Sequence, residues 1–258
     1  MNDLVAYRVS HHVAYLEIRH PPANTLSEAA LKSLTQAVER VEEDAAVRAA
    51  VITGAGKFFV SGADIKEMAQ KATEDEGFSF AALGQDLFNR IEGGTKPFIA
   101  AINGACFGGG LELAMACHLR YAAKGAKLGQ PEINLGLIPG FGGTQRLPRL
   151  IGRSAALEML LTGEAITAEE ARNLGLIHRV VSADDLLPAV ADLAEQLAQK
   201  GRLATKFVLE AVCKGNTLPF EEGLRLEAQN FGRAFASDEK REGVAAFLEK
   251  RKPRFHDV

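Results

Sequence analysis

Glu112 is the residue of this chain whose setting most demands a chemical explanation. It sits in the run from Cys106 to Cys117, Cys-Phe-Gly-Gly-Gly-Leu-Glu-Leu-Ala-Met-Ala-Cys, among apolar residues and glycines. Three consecutive glycines let a backbone approach a ligand with no side chain in the way. The helix formed by the following residues aims its free N–H groups and positive dipole end at the same spot, which suits a developing negative oxygen. A tight helix–strand crossing would use such glycines too. The glutamate shifts the balance towards function. An isolated carboxylate is costly to bury unless it is paired or functional, and attraction to a helix N-terminus offsets only ~0.3–1 kcal/mol.

Glu132 is plainer. It follows in Gly129-Gln130-Pro131-Glu132-Ile133-Asn134-Leu135-Gly136, where Pro131 blocks regular helix and stiffens the loop. Taken by itself it reads as an ordinary loop glutamate. A second glycine-rich turn comes next, Ile138-Pro139-Gly140-Phe141-Gly142-Gly143-Thr144-Gln145-Arg146, ahead of a helical segment. Two carboxylates on adjacent rigid turns make an acid/base pair when their environments separate their proton affinities. In a third segment, Phe58 to Met68, a strand-like run ends in Ser61-Gly62-Ala63 and a polar stretch begins. Backbone amides there could supply a further donor, or Asp64 could simply cap a helix.

The elements that must position these residues alternate in type. Val13 to Ile18, Ala49 to Thr53, Phe58 to Val60, Pro97 to Ile102, Leu119 to Ala122 and Lys127 to Leu128 read as strands. Leu26 to Val41 has helical spacing, with Leu31, Leu34, Val38 and Val41 on one face, and Leu83 to Ile91 returns to helix. Ala155 to Leu161 is an apolar helix, Thr167 and Glu170 fit a capping box, and Leu176 to Val181 is a last strand. From Asp184 onward the pattern is helical. The polar stretch Lys66 to Gly77, with acidic Glu74-Asp75-Glu76, reads as a solvated loop or helix end. The architecture expected is an α/β body with a helical C-terminal part and no Pro/Ser-rich linker between them.

Composition narrows the chemistry. With 258 residues the chain can bury a core without disulfides or structural metal. A formal net charge of −3 provides no field for nucleic acid or an anionic membrane. Three widely spaced cysteines and no Cys-x-x-Cys argue against a disulfide framework or zinc site and fit a reduced, cytoplasmic compartment. Met1 to Arg8 lacks the basic and apolar regions of a signal peptide, and no apolar run has the ~20 residues that span a bilayer. The nucleophile elbow, P-loop, His-Glu-x-x-His and dinucleotide fingerprints are all missing from the sequence.

Taken together, the three chemical segments resemble the crotonase family, the enoyl-CoA hydratase/isomerase superfamily. The resemblance covers essentially the whole chain. It rests on four motifs in order: Ser61-Gly62-Ala63-Asp64-Ile65-Lys66-Glu67-Met68; Gly-Gly-Gly-x-Glu-Leu-Ala from Gly108; Gly129 to Glu132 with Pro139 to Leu147; and Arg241-Glu242-Gly243 through Ala246 to Arg251. It implies an α/β spiral of ββα units with a helical C-terminal trimerisation region. Residues 1–200 would form the core carrying the active site and residues 201–258 the helical region, in one integrated domain. It implies a homotrimer or dimer-of-trimers hexamer, an acyl-CoA thioester as substrate, and no metal or redox cofactor.

By the same resemblance, backbone amides of Ala63 and Gly109 polarise the thioester carbonyl. Asp64, Ile65 and Lys66 fall where the family contacts coenzyme A, Gly140 could offer an amide to water, and Phe247 and Lys250 match positions that reach a neighbour's coenzyme A. The presence of both Glu112 and Glu132 is the family's mark of hydratases. The expected reaction is reversible addition of water to trans-2-enoyl-CoA in fatty-acid or related acyl-CoA degradation, with a Δ3,Δ2-enoyl-CoA isomerase or another crotonase-fold acyl-CoA enzyme as the alternative. The resemblance casts Glu132 as the acid that protonates the α-carbon and Glu112 as the base. Two positions depart from the commonest family pattern: His118 stands where many members have Asp, and Phe141 stands where smaller residues also occur.

Overall fold

The computed structural model describes residues 4–255. Strand β1 (Val5–Ser10) turns back on β2 (Val13–Ile18) as an antiparallel pair, and helix α1 (Glu28–Glu43) follows. Then come β3 (Ala49–Gly54), β4 (Phe58–Val60), the single turn α2 (Ile65–Met68) and α3 (Glu74–Glu92). The next unit is β5 (Phe98–Ile102), β6 (Ala105–Phe107) and α4 (Gly109–Ala116). After it come β7 (Leu119–Ala123), β8 (Lys127–Gly129) and a 3-10 turn, Pro131–Leu135. Helices α5 (Gly143–Ile151) and α6 (Arg153–Thr162), β9 (Ile166–Thr167), α7 (Ala168–Asn173) and β10 (Arg179–Val181) complete the strand-bearing part. Helices α8 (Leu186–Ala198), α9 (Arg202–Cys213), α10 (Phe220–Phe235) and α11 (Asp238–Leu248) end the chain.

The strands sort into two sheets. One has the order β1-β2-β3-β5-β7-β10 and the other β4-β6-β8-β9. Each successive strand–strand–helix unit adds one parallel strand to each sheet, so β3, β5 and β7 neighbour one another while β4, β6 and β8 do the same. This is an α/β spiral of ββα units. It also stacks the ends of β4, β6 and β8, and with them the three glycine-rich turns, at one place.

Burial on both faces explains why β3 and β5 read as unbroken apolar runs. On one face Val51, Ile99, Ala101 and Tyr121 pack against Leu186, Val190, Ala194 and Ala198 of α8, a four-residue stripe. On the other, Ala50, Ile52, Phe98, Ala100 and Ile102 meet Leu31, Leu34 and Val38 of α1 together with α3 and α4.

Two expectations shift. Helix α3 begins at Glu74, nine residues ahead of its apolar stretch, because Thr73 and Glu76 form a capping box, with Glu76 N–H donating to Thr73 Oγ1 at 3.3 Å and Thr73 N–H to Glu76 Oε2 at 3.0 Å. The acidic run expected as a solvated loop or helix end is the exposed first turn of this helix, where negative charge interacts favourably with the dipole. The last strand covers only Arg179–Val181 of the apolar stretch expected from Leu176. Leu176 and Ile177 belong to the buried core instead. The capping box at Thr167 and Glu170 forms as expected.

Candidate active site

Helix α4 places Glu112 one turn from its free end. Gly109, Gly110 and Leu111 precede the first intrahelical donor, Glu112 N–H to Gly108 C=O at 3.0 Å, so their N–H groups face off the helix N-terminus. Gly108 makes the turn with φ 50° and ψ −124°, a combination closed to other residues. A Cβ there would lie 2.8 Å from Glu132 Oε1. The bare glycine is what lets the Glu132 carboxylate lie against this turn.

Ala63 enters from the end of β4. Its chain neighbours are spoken for: Leu26 N–H donates to Gly62 C=O at 2.8 Å, and Asp64 N–H donates to Leu26 C=O at 3.2 Å. Extended backbone alternates its donors, so the Ala63 N–H points away from Leu26. Asp64 caps α2, its carboxylate accepting from Lys66 N–H at 3.0 Å and Glu67 N–H at 3.1 Å, and from Thr25 Oγ1 at 2.9 Å.

Glu112 is 1% exposed. Its Oε1 accepts from Phe141 N–H at 2.8 Å and Gly143 N–H at 2.7 Å. Burial pushes its carboxyl up to about 8, the two amides oppose that, and the Glu132 charge adds to it. Glu132 stands in the first turn of the 3-10 segment, with Pro131 ahead of it. Burial pushes its carboxyl up to about 7. The fully buried Gln130 amide, in the orientation that satisfies both groups, donates to both Glu132 oxygens at 3.0 Å.

Ala63, Ile65, Gly109, Glu112, Glu132 and Gly140 line one cavity of about 510 Å³. Asp64 and Lys66 lie outside its wall. The inner wall is aromatic: Phe141 meets Phe80 edge-on with centroids 5.2 Å apart and Phe88 at 5.7 Å. A larger hollow of about 1200 Å³ runs from the 137–146 turn to α9 and α10, but neither glutamate lines it. Two carboxyls whose proton affinity is raised by burial, beside free helix amides on an apolar cavity, can give and take protons beside an oxyanion.

The family model for enoyl-CoA hydratase/isomerase matches residues 8–258. The chain belongs to the enoyl-CoA hydratase/isomerase family. It is 47% identical to a probable enoyl-CoA hydratase of Bacillus subtilis (strain 168), over 98% of each chain. It is 46% identical to a crotonyl-CoA hydratase of Syntrophomonas wolfei, over 94% of each. Its fold matches the crystal structure of an enoyl-CoA hydratase from Bacillus anthracis with a TM-score of 0.93 at 37% identity, covering 98% of this chain and 99% of that one. Membership of this family implies an acyl-CoA substrate.

Two polar residues packed around the glutamates escaped the sequence reading. Gln130 was visible only as part of a motif. Arg146 carried a usable signal: a cation in the first turn of a helix opposes the dipole and needs a local partner.

Proposed function

We propose that the protein is an enoyl-CoA hydratase, adding water reversibly to trans-2-enoyl-CoA to give 3-hydroxyacyl-CoA. The observation that carries this is the pair of buried Glu112 and half-buried Glu132, both with raised proton affinity, on the cavity that also holds Gly109 and Ala63.

The amides of Ala63 and Gly109 receive the thioester oxygen as the enolate develops. Fixed donors in a dry site stabilise that charge without reorganising, and one such donor contributes about 3 kcal/mol. The reaction uses one of the two carboxyls ionised and the other protonated. The ionised member takes a proton from water as its oxygen bonds to C3. The protonated member delivers its proton to C2 as the C2–C3 π electrons move. One water is added, and the two carboxyls exchange protonation states. In this reading Asp64, the cap of α2, and Ile65 and Lys66 at its start would contact coenzyme A, and Gly140 would offer an amide to the attacking water.

The reading extends to assembly. Residues 1–200 act as the spiral core and 201–258 as an integrated helical region that builds a trimer or a hexamer. Exposed Val208, Val212, Phe231, Phe235 and Phe247 give α9 to α11 the apolar surface for this. In such an assembly Phe247, 81% exposed, and Lys250 would meet a neighbour's coenzyme A. The buried thiols of Cys106 and Cys117 suit the cytoplasm.

Hydration of crotonyl-CoA followed by loss of the conjugated-thioester absorbance tests the proposal. Turnover is expected with short 2-enoyl-CoA, and no turnover with any 2-enoyl-CoA would end it.

A further inference from the structure

We propose that Arg146 is a positioning residue that sets the proton affinity of Glu112 by clamping the turn whose amides hold it. This rests on the hydratase reading for its kinetic expression.

The geometry links four elements. Arg146 is 8% exposed. Its Nε and Nη2 donate to Glu92 Oε2 at 3.0 and 2.8 Å, and Nη2 also donates to Asn89 Oδ1 at 2.7 Å. Asn89 and Glu92 stand three apart on the last turns of α3 and so share one face. The third nitrogen, Nη1, donates to Phe141 C=O at 3.0 Å. Phe141 N–H is one of the two donors to Glu112 Oε1. The residue is therefore pinned on both sides, by guanidinium at its carbonyl and by carboxylate at its amide. Gly142 makes the reach possible, since a Cβ at its φ of 111° would lie 2.3 Å from Arg146 Nη1.

The charges around this link are few and can be named. Glu112 feels Glu132 from the 3-10 turn, which raises its proton affinity, and Arg146 from α5, which lowers it. Arg146 faces Glu92. Glu92 is faced in turn by His118, Arg120 and Cys213. His118 stays neutral, because burial holds it down to about 4, with Phe98 N–H donating to its Nδ1 at 3.0 Å and the other nitrogen on the Glu92 carbonyl at 3.2 Å. Arg120 is committed to carbonyls at the end of α4 and of Leu176. The Glu92 carboxylate thus answers to Arg146. Loss of the clamp removes a cation and loosens two amide donors, and both changes push Glu112 in the same direction, towards holding its proton.

The test is the pH dependence of kcat/KM with crotonyl-CoA for the wild type, Arg146→Met, Arg146→Lys and Glu92→Gln. One limb of the profile should move to higher pH by about one unit in Arg146→Met, a tenfold change in proton affinity. It is the acid limb if Glu112 is the base and the alkaline limb if Glu112 is the acid. Arg146→Lys, which keeps the charge without the fork, should move it less. If Arg146→Met fails to fold, Arg146→Lys and Glu92→Gln carry the test. A lower rate with both limbs unmoved would overturn the proposal and leave Arg146 a packing residue. If the wild type turns over no 2-enoyl-CoA, the hydratase reading fails by itself. The clamp is then judged by whether the midpoint of pH-dependent stability moves upward in the variants, and an unmoved midpoint overturns it.

Discussion

Replacing Glu112 by Gln should stabilise the protein in alkaline solution and do little in acid. The glutamine oxygen can still accept from Phe141 N–H and Gly143 N–H, so the geometry is kept while the charge is removed. Burial raises the folded-state value from 4.5 to about 8. A carboxyl raised on folding favours the protonated native state. Its contribution is full below the unfolded value and is lost as pH rises through the folded one. Between about pH 5 and about pH 9 the wild type should therefore lose on the order of 4 kcal/mol that the variant retains. Urea unfolding of both proteins at the two pH values, at one fixed protein concentration, measures this. A stability difference that does not change with pH would refute the claim that Glu112 is buried with a raised proton affinity. The same variant should be nearly inactive, which would make it an instance of stability given up for function.

Four other changes test neighbouring parts. Glu132→Gln should lower kcat by about 10²–10⁴-fold, with KM little changed, in crotonyl-CoA kinetics. Gly108→Ala should cost about 1–3 kcal/mol in thermal unfolding through its backbone strain and displace Glu132, with activity falling alongside. Phe141→Ala removes the ring that meets Phe80 and Phe88. A kinetic series of acyl lengths should show preference moving from short to longer enoyl chains, at about 3 kcal/mol of stability. Thr73→Ala breaks the capping box of α3 and should cost about 1 kcal/mol in denaturant unfolding, with KM raised because Thr73 also lines the cavity.

What could be read from the sequence follows from how local the physics is. Strand β5 declares itself by an unbroken apolar run, and α1 by a stripe at helical spacing. Glu112 stood out because its helix has no solvated face, and all eight residues of α4 are buried. Glu132 had no such local mark. Its raised proton affinity comes from burial, with the carboxylate lying against Gly108 of a separate turn of the spiral. The start of α3 was missed for the opposite reason. Its signal, Thr73 with Glu76, is local but polar, and a polar acidic stretch fits a solvated loop as well as a helix end. The cation of Arg146 near a helix start marks it as needing a partner, but which partners it finds is set by the fold, since Asn89 and Glu92 lie more than fifty residues away.

The most direct test of the two-carboxylate account is hydration carried out in D2O. Mass spectrometry and NMR of the product from crotonyl-CoA should show 3-hydroxybutyryl-CoA with one solvent deuteron at C2. Glu112→Gln and Glu132→Gln should each abolish its formation. Recovery of unhydrated thioester with the double bond moved, or full hydration by either variant, would contradict it.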